Sequence, residues 1–278
     1  MTMGETTKNE EIVTKVRERY ARFAQSGECG CSAGAGAAAP APVDVARRIG
    51  YDERAIAVAP EGANLGLGCG APVGFLGLRA GETVVDLGSG AGFDAFLAAR
   101  EIGPTGKVIG VDMTPAMLER ARANAAEAGL GWVEFREGRL EALPLATASA
   151  DAVTSNCVIN LVPDKAAVFH EAARVLRAGG RMVISDIILD RDLPSIVKDD
   201  VEAYVGCIAG AMRRAPYFAA LEKAGFAPAE ILRDADYLAA LGEDALPETL
   251  RLKMRAHGLR LEDLAGTIRS VTYRAVRR

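Results

Sequence analysis

The sequence predicts an α/β fold, a parallel sheet with helices on both faces, extended by a C-terminal helical cap and preceded by a mobile N-terminal segment. From Gly81 onward short apolar runs alternate with longer stretches of helical periodicity, the pattern of βαβ units. A glycine-rich turn stands where the first apolar run passes into the first helical stretch. The 278 residues, 50% of them hydrophobic and 25% charged, can bury one large core but not several full domains.

The elements follow in order. Residues 10–26 place Ile12, Val16, Tyr20 and Phe23 at three- and four-residue steps with charges between them, which predicts an amphipathic helix packed by one face. Ser26 to Pro42 is small, glycine-rich and proline-ended, so a mobile segment carrying Cys29 and Cys31 is expected. Strands are predicted at the start of TVVDLGSGAGFDAFLAAREI, at KVIGVDM, from Trp132 to Phe135, from Ala152 to Ser155 and from Met182 to Ile188. The helix between the last two runs from Lys165 to Leu176, ended by Ala178–Gly180. Beyond Asp190 helices are expected at Ile196–Ala211 and Ala215–Ala224, and short strands near Ala229–Arg233 and Ile268–Ala275 that complete the sheet. The chain thus divides into residues 1–42, a ligand-binding unit over 43–190, and a cap with sheet completion over 191–278.

Asp86-Leu87-Gly88-Ser89-Gly90-Ala91-Gly92 lets backbone approach a ligand closely. A dinucleotide fingerprint needs glycine or alanine three residues after its second glycine, whereas Gly92 follows at two, which weakens a nicotinamide reading. Asp112 closes the second strand, where a carboxylate accepts hydrogen bonds from ribose hydroxyls, and Asp86 stands ready for a cationic amine.

The five cysteines, Cys29, Cys31, Cys69, Cys157 and Cys207, are too few for a disulfide scaffold, and they lack a CxxC pair. His170 and His257 have no metal-site partner pattern, so structural zinc is disfavoured. Cys69 lies in an exposed-looking loop, GLGCGAP; Cys157 follows the fourth strand at the carboxyl end of the sheet; Cys207 lies in the helical cap. Converging thiolates without nitrogen ligands suit a soft, thiophilic centre such as trivalent arsenic.

An acid, a GxGxG turn and a second acid together resemble the S-adenosylmethionine-dependent methyltransferases of the Rossmann-like class. PEGANLGLGCGAPV, VVDLGSGAGFD, GKVIGVDMTPAML, SNCVINLVPDK and YVGCIAGA carry a closer resemblance, to the arsenite S-adenosylmethionine methyltransferases, over about Gly50 to Phe226. That resemblance implies transfer of methyl groups to trivalent arsenic held by Cys69, Cys157 and Cys207. It implies Asp86, Gly88, Ser89, Gly90, Asp112, Met113, Leu140, Glu141 and Asn156 as the cofactor site, with the ligand's carboxylate on the amides of Gly88 to Gly90 and its adenine near Leu140-Glu141. It further implies a mobile thiol at Cys31, or at Cys29, that cycles through a disulfide reset by thioredoxin or glutathione.

Two other readings share part of this pattern. A methyltransferase for a small organic nucleophile such as a quinone leaves the cysteines unexplained, and a non-catalytic arsenic-binding protein leaves the cofactor turn unexplained. The balance of 33 basic against 37 acidic residues provides no excess for nucleic acid. The charged start offers no signal-peptide core, and the longest uncharged run, Gly62 to Leu78, is broken by six glycines and a proline, so neither membrane nor export is expected and the cytoplasm is.

Overall fold

The computed structural model describes residues 3–26, 40–242 and 246–278, with side chains from residue 9 onward. Seven strands form one sheet in the order β3-β2-β1-β4-β5-β7-β6. These are β1 (Thr83–Leu87), β2 (Lys107–Asp112), β3 (Val133–Glu137), β4 (Ala150–Asn156), β5 (Leu176–Leu189), β6 (Glu230–Asp236) and β7 (Ile268–Val276). β1 to β5 are parallel; β7 runs antiparallel to both neighbours. Strand order reverses between β1 and β4, and the carboxyl ends of these two strands open the crevice where ligands bind in doubly wound sheets. β1, β2 and β4 are buried along most of their length because both faces are covered.

The helices are α1 (Met3–Ser26), α2 (Pro42–Ile49), α3 (Glu53–Val58), α4 (Phe93–Ile102), α5 (Pro115–Glu127), α6 (Lys165–Val175), α7 (Ser195–Lys198), α8 (Val201–Val205), α9 (Arg214–Lys223), α10 (Tyr237–Leu241) and α11 (Glu248–Ala256). Val16 and Phe23 of α1 are buried, as the periodicity predicts, and α1 packs on α5 and α8. No described helix is long and apolar enough to cross a membrane.

Two helices end earlier than their periodicity predicts. α6 stops at Val175, and Ala178–Gly180 lie inside the irregular start of β5, where the register against β4 slips. The stretch Ile196–Ala211 is broken twice. Asp200 turns its carboxylate onto the Ala203 amide and restarts the chain as α8. Cys207 then adopts φ 65, which no right-handed helix accommodates.

Candidate functional site

The two ends that frame the crevice differ in chemistry. β1 ends in Asp86-Leu87 and turns at Gly88, whose φ is 69 and where a Cβ would lie 2.4 Å from Val158, so only glycine fits the turn. The amides of Gly88 and Ser89 both donate to the Val111 carbonyl, at 2.7 and 3.1 Å, and the Gly90 amide donates to Asp112 Oδ2 at 3.0 Å. The three amides expected to receive a ligand carboxylate are therefore committed to the turn itself. What these residues contribute is shape and a buried hydroxyl, Ser89 Oγ, that has no partner among the described residues.

Asp86 is the electrostatic centre of this half. It is 2% exposed, one oxygen has no hydrogen-bond partner among the described residues, and burial beside Asp94 and Asp112 pushes its carboxyl well above the usual carboxylate range. Burial likewise raises Asp94 to about 6, against the hydrogen bonds it accepts from Tyr51 (2.7 Å) and Asn156 (3.1 Å). An orphaned acid flanked by two more is a wall that a cationic ligand would satisfy. Asp86, Gly88, Ser89, Gly90, Asp112, Met113, Leu140, Glu141 and Asn156 all line one cavity with Cys157 and Cys207. Glu141 is held by Arg139 at 3.0 Å.

The other half is made of sulfur. Cys69 is not exposed as its glycine-rich surroundings predict but buried, and Cys69, Cys157 and Cys207 are all free thiols, 2%, 7% and 3% exposed. Cys207 Sγ donates to the Cys157 carbonyl at 2.7 Å, and the thiols of Cys69 and Cys207 both stand near enough to that of Cys157 to shift its titration. Loop, sheet and cap thus meet at one point. Each thiol is pushed up from its ordinary range: Cys69 chiefly by burial, Cys207 by its bond to Cys157 and then burial. At Cys157 the bond from Cys207 pulls down, but Cys69 and burial outweigh it. Among the described residues no three cysteine, histidine or acidic donors form a preformed metal cage, so the thiols meet as a chain, not as a closed triangle. Cys29 and Cys31 lie outside the described residues.

Backbone conformation separates two of these cysteines from ordinary buried thiols. Among the described residues other than glycine, only Ala148, Cys157 and Cys207 have positive φ, and the cysteines stand at 60 and 65. Strain of this kind gathers at functional positions because nothing but the surrounding structure holds it.

A methyltransferase-domain profile matches residues 78–247. The crystal structure of an arsenic(III) S-adenosylmethionine methyltransferase from Chlamydomonas reinhardtii superposes with a TM-score of 0.61 and is 34% identical, covering 85% of this chain and 74% of that one. The chain belongs to the arsenite S-adenosylmethionine methyltransferase family. Curated arsenite methyltransferases of Halobacterium salinarum, 46% identical over 80% of this chain, and of Aquipseudomonas alcaligenes, 38% identical over 69%, are further relatives. The chain spans 59% and 57% of the length of those two.

Around the thiols this family member places residues that the sequence pattern presents only as packing. Tyr20 of α1 turns its hydroxyl onto Cys207, and Tyr237 of α10, partly buried, stands near all three cysteines. α8, which ends two residues before Cys207, is braced from two sides, by Arg19–Glu202 at 2.5 Å from α1 and by Lys253–Asp200, at its N-cap, at 2.5 Å from α11. Tyr20 sits on the apolar face of α1, so its periodicity signals core and nothing signals its hydroxyl.

Proposed function

We propose that this protein transfers methyl groups from S-adenosylmethionine to trivalent arsenic bound by Cys69, Cys157 and Cys207. The observation that carries this reading is the gathering of three buried thiols from a loop, a strand end and a helical cap, two of which, Cys157 and Cys207, line the same cavity as the acid-rimmed turn. A structural role would leave the thiols dispersed in the core, and a cofactor site alone would not need them.

The cofactor half fits S-adenosylmethionine through the orphaned Asp86 oxygen, which suits its ammonium group, and through the cluster of Asp86, Asp94 and Asp112, whose ionisation a cationic ligand would favour. The chemistry supplied there is donation of a sulfonium methyl to the arsenic lone pair, which carries no proton and so needs no general base. The thiols are held neutral by burial. Each displaces a hydroxide from arsenite: a sulfur–arsenic bond forms, an arsenic–oxygen bond breaks, and the thiol proton leaves with the oxygen as water. Because Cys69 and Cys207 both neighbour Cys157, binding requires that the three sulfurs close around one atom.

Methylation raises arsenic from the trivalent to the pentavalent state. In this reading Cys31 and Cys69 return it by giving up two electrons as a disulfide, which thioredoxin or glutathione then reduces. Free buried thiols of this kind belong to a reducing compartment, the cytoplasm.

The test is purified protein with arsenite, S-adenosylmethionine and a thiol reductant, followed for S-adenosylhomocysteine release and arsenic speciation. Methylated arsenicals are expected, and Cys157→Ser and Cys207→Ser each abolish them. Cofactor binding with arsenic left unmethylated would overturn the assignment.

A further inference from the structure

Asn156 stands at the seam of the two half-sites, the last residue of β4 and the neighbour of Cys157. Its position predicts a cofactor ligand, but its side chain is turned elsewhere. Oδ1 accepts from the Cys69 amide at 3.0 Å and the Gly70 amide at 3.3 Å. Nδ2 faces the Gly70 carbonyl at 2.7 Å, the Tyr51 hydroxyl at 2.8 Å and Asp94 Oδ2 at 3.1 Å. The orientation is fixed by chemistry, because a flipped amide would press its own N–H groups against two backbone donors. Five groups thus occupy an amide that offers two hydrogens and one acceptor oxygen, leaving little for a ligand. The approach is close on the loop side as well, where a Cβ on Gly68 would lie 3.0 Å from Nδ2.

We propose that Asn156 is a positioning residue for arsenic and not a ligand of the cofactor: it fastens the Cys69 loop to the end of β4 and so sets the spacing between Cys69 and Cys157. This rests on the reading that these cysteines hold arsenic. Few other contacts do the same work. The Cys69 carbonyl is held by Ser270 of β7, which anchors the loop to the sheet but not to the chain that bears Cys157. Through Nδ2 the same amide joins the sulfur half to Asp94 and thence to the acid wall around Asp86.

The experiment is calorimetric titration of wild type, Asn156→Ala and Asn156→Asp with arsenite alone and, separately, with S-adenosylhomocysteine alone. Asn156→Ala loses both backbone anchors of the Cys69 loop, so arsenite binding weakens by about tenfold, while S-adenosylhomocysteine binding changes by less than about threefold. Asn156→Asp keeps the acceptor facing both amides but sets its second oxygen against the Gly70 carbonyl and Asp94, so it recovers part of the arsenite affinity lost in Asn156→Ala. Loss of S-adenosylhomocysteine binding with arsenite binding retained would make Asn156 a cofactor ligand and overturn the proposal, as would no change in either or an equal loss of both. Wild type that binds S-adenosylhomocysteine but no arsenite would instead overturn the underlying reading, and this proposal with it. Peptide-mapped alkylation gives a second readout. Cys69 is modified faster in Asn156→Ala than in wild type while Cys207 is not; equal acceleration at both would show general loosening and overturn the assignment.

Discussion

The backbone of Cys157 and Cys207 yields a prediction that separates strain from chemistry. Cys69, Cys157 and Cys207 are buried to a similar degree, but only the latter two have positive φ, at 60 and 65. Each is replaced in turn by alanine and by glycine, and the alanine-to-glycine difference is compared between positions, so the loss of the thiol cancels. At Cys69 glycine forfeits a buried methyl group worth about 0.8 kcal/mol and adds about 0.4–1 kcal/mol of unfolded-chain entropy. Alanine to glycine there is therefore expected to cost roughly 1.5 kcal/mol. At Cys157 and Cys207 the same losses are offset by about 1–2 kcal/mol of relieved left-handed strain, and the change falls close to zero. Ala148, exposed and at φ 52, loses no buried methyl on becoming glycine, so Ala148→Gly should stabilise by roughly 0.5–1 kcal/mol. Equilibrium urea unfolding under reducing conditions, followed by circular dichroism, measures all seven variants. An alanine-to-glycine cost at Cys157 equal to that at Cys69 would refute the claim that this thiol is held on a strained backbone.

Three further outcomes are expected. Asp86→Asn weakens S-adenosylmethionine binding by roughly 10- to 100-fold in calorimetry, the range of a hydrogen bond to a charged group. It also raises the urea midpoint of the ligand-free protein, since a buried acid without a partner on one oxygen is removed. Tyr20→Phe keeps the ring against Phe23, at 6.0 Å between centroids, but loses the hydroxyl on Cys207. Its arsenite affinity should fall about fivefold with cofactor binding unchanged. Asp186, facing Lys165, Tyr217 and Asn160 beneath the thiols, is raised to about 7, chiefly by burial. The folded state then holds this proton to a higher pH than the unfolded state does, so its contribution to stability declines as pH rises from about 4 to 7. The stability of wild type relative to Asp186→Asn, taken from urea midpoints at pH 5 and pH 8, should fall between the two; a constant difference would show that Asp186 does not titrate there.

Much of the fold is legible in the chain because it depends on local regularities. The alternation of apolar runs and helical periodicity places β1 to β5 correctly, and the acid–glycine–acid spacing marks the tight turn at the end of β1, since strand period and turn chemistry act over a few neighbouring residues. Where periodicity misleads, another local feature wins. The Ile196–Ala211 stretch has helical spacing, but the Asp200 cap and the left-handed Cys207 divide it.

The amino-acid sequence by itself determined the sheet, the turn and the identity of the thiols, because each is written in residues that are neighbours in the chain. Only the tertiary structure decided what those residues do. It buried Cys69, an outcome that a glycine-rich loop does not announce, and it committed the Gly88–Gly90 amides to Val111 and Asp112. It also set the Asn156 side chain on the amide of Cys69, 87 residues away, and Cys207 on the carbonyl of Cys157, 50 residues away. Such contacts leave no period in the chain. They arise when the sheet has formed and its strand ends, cap and loop must satisfy one another's polar groups away from water.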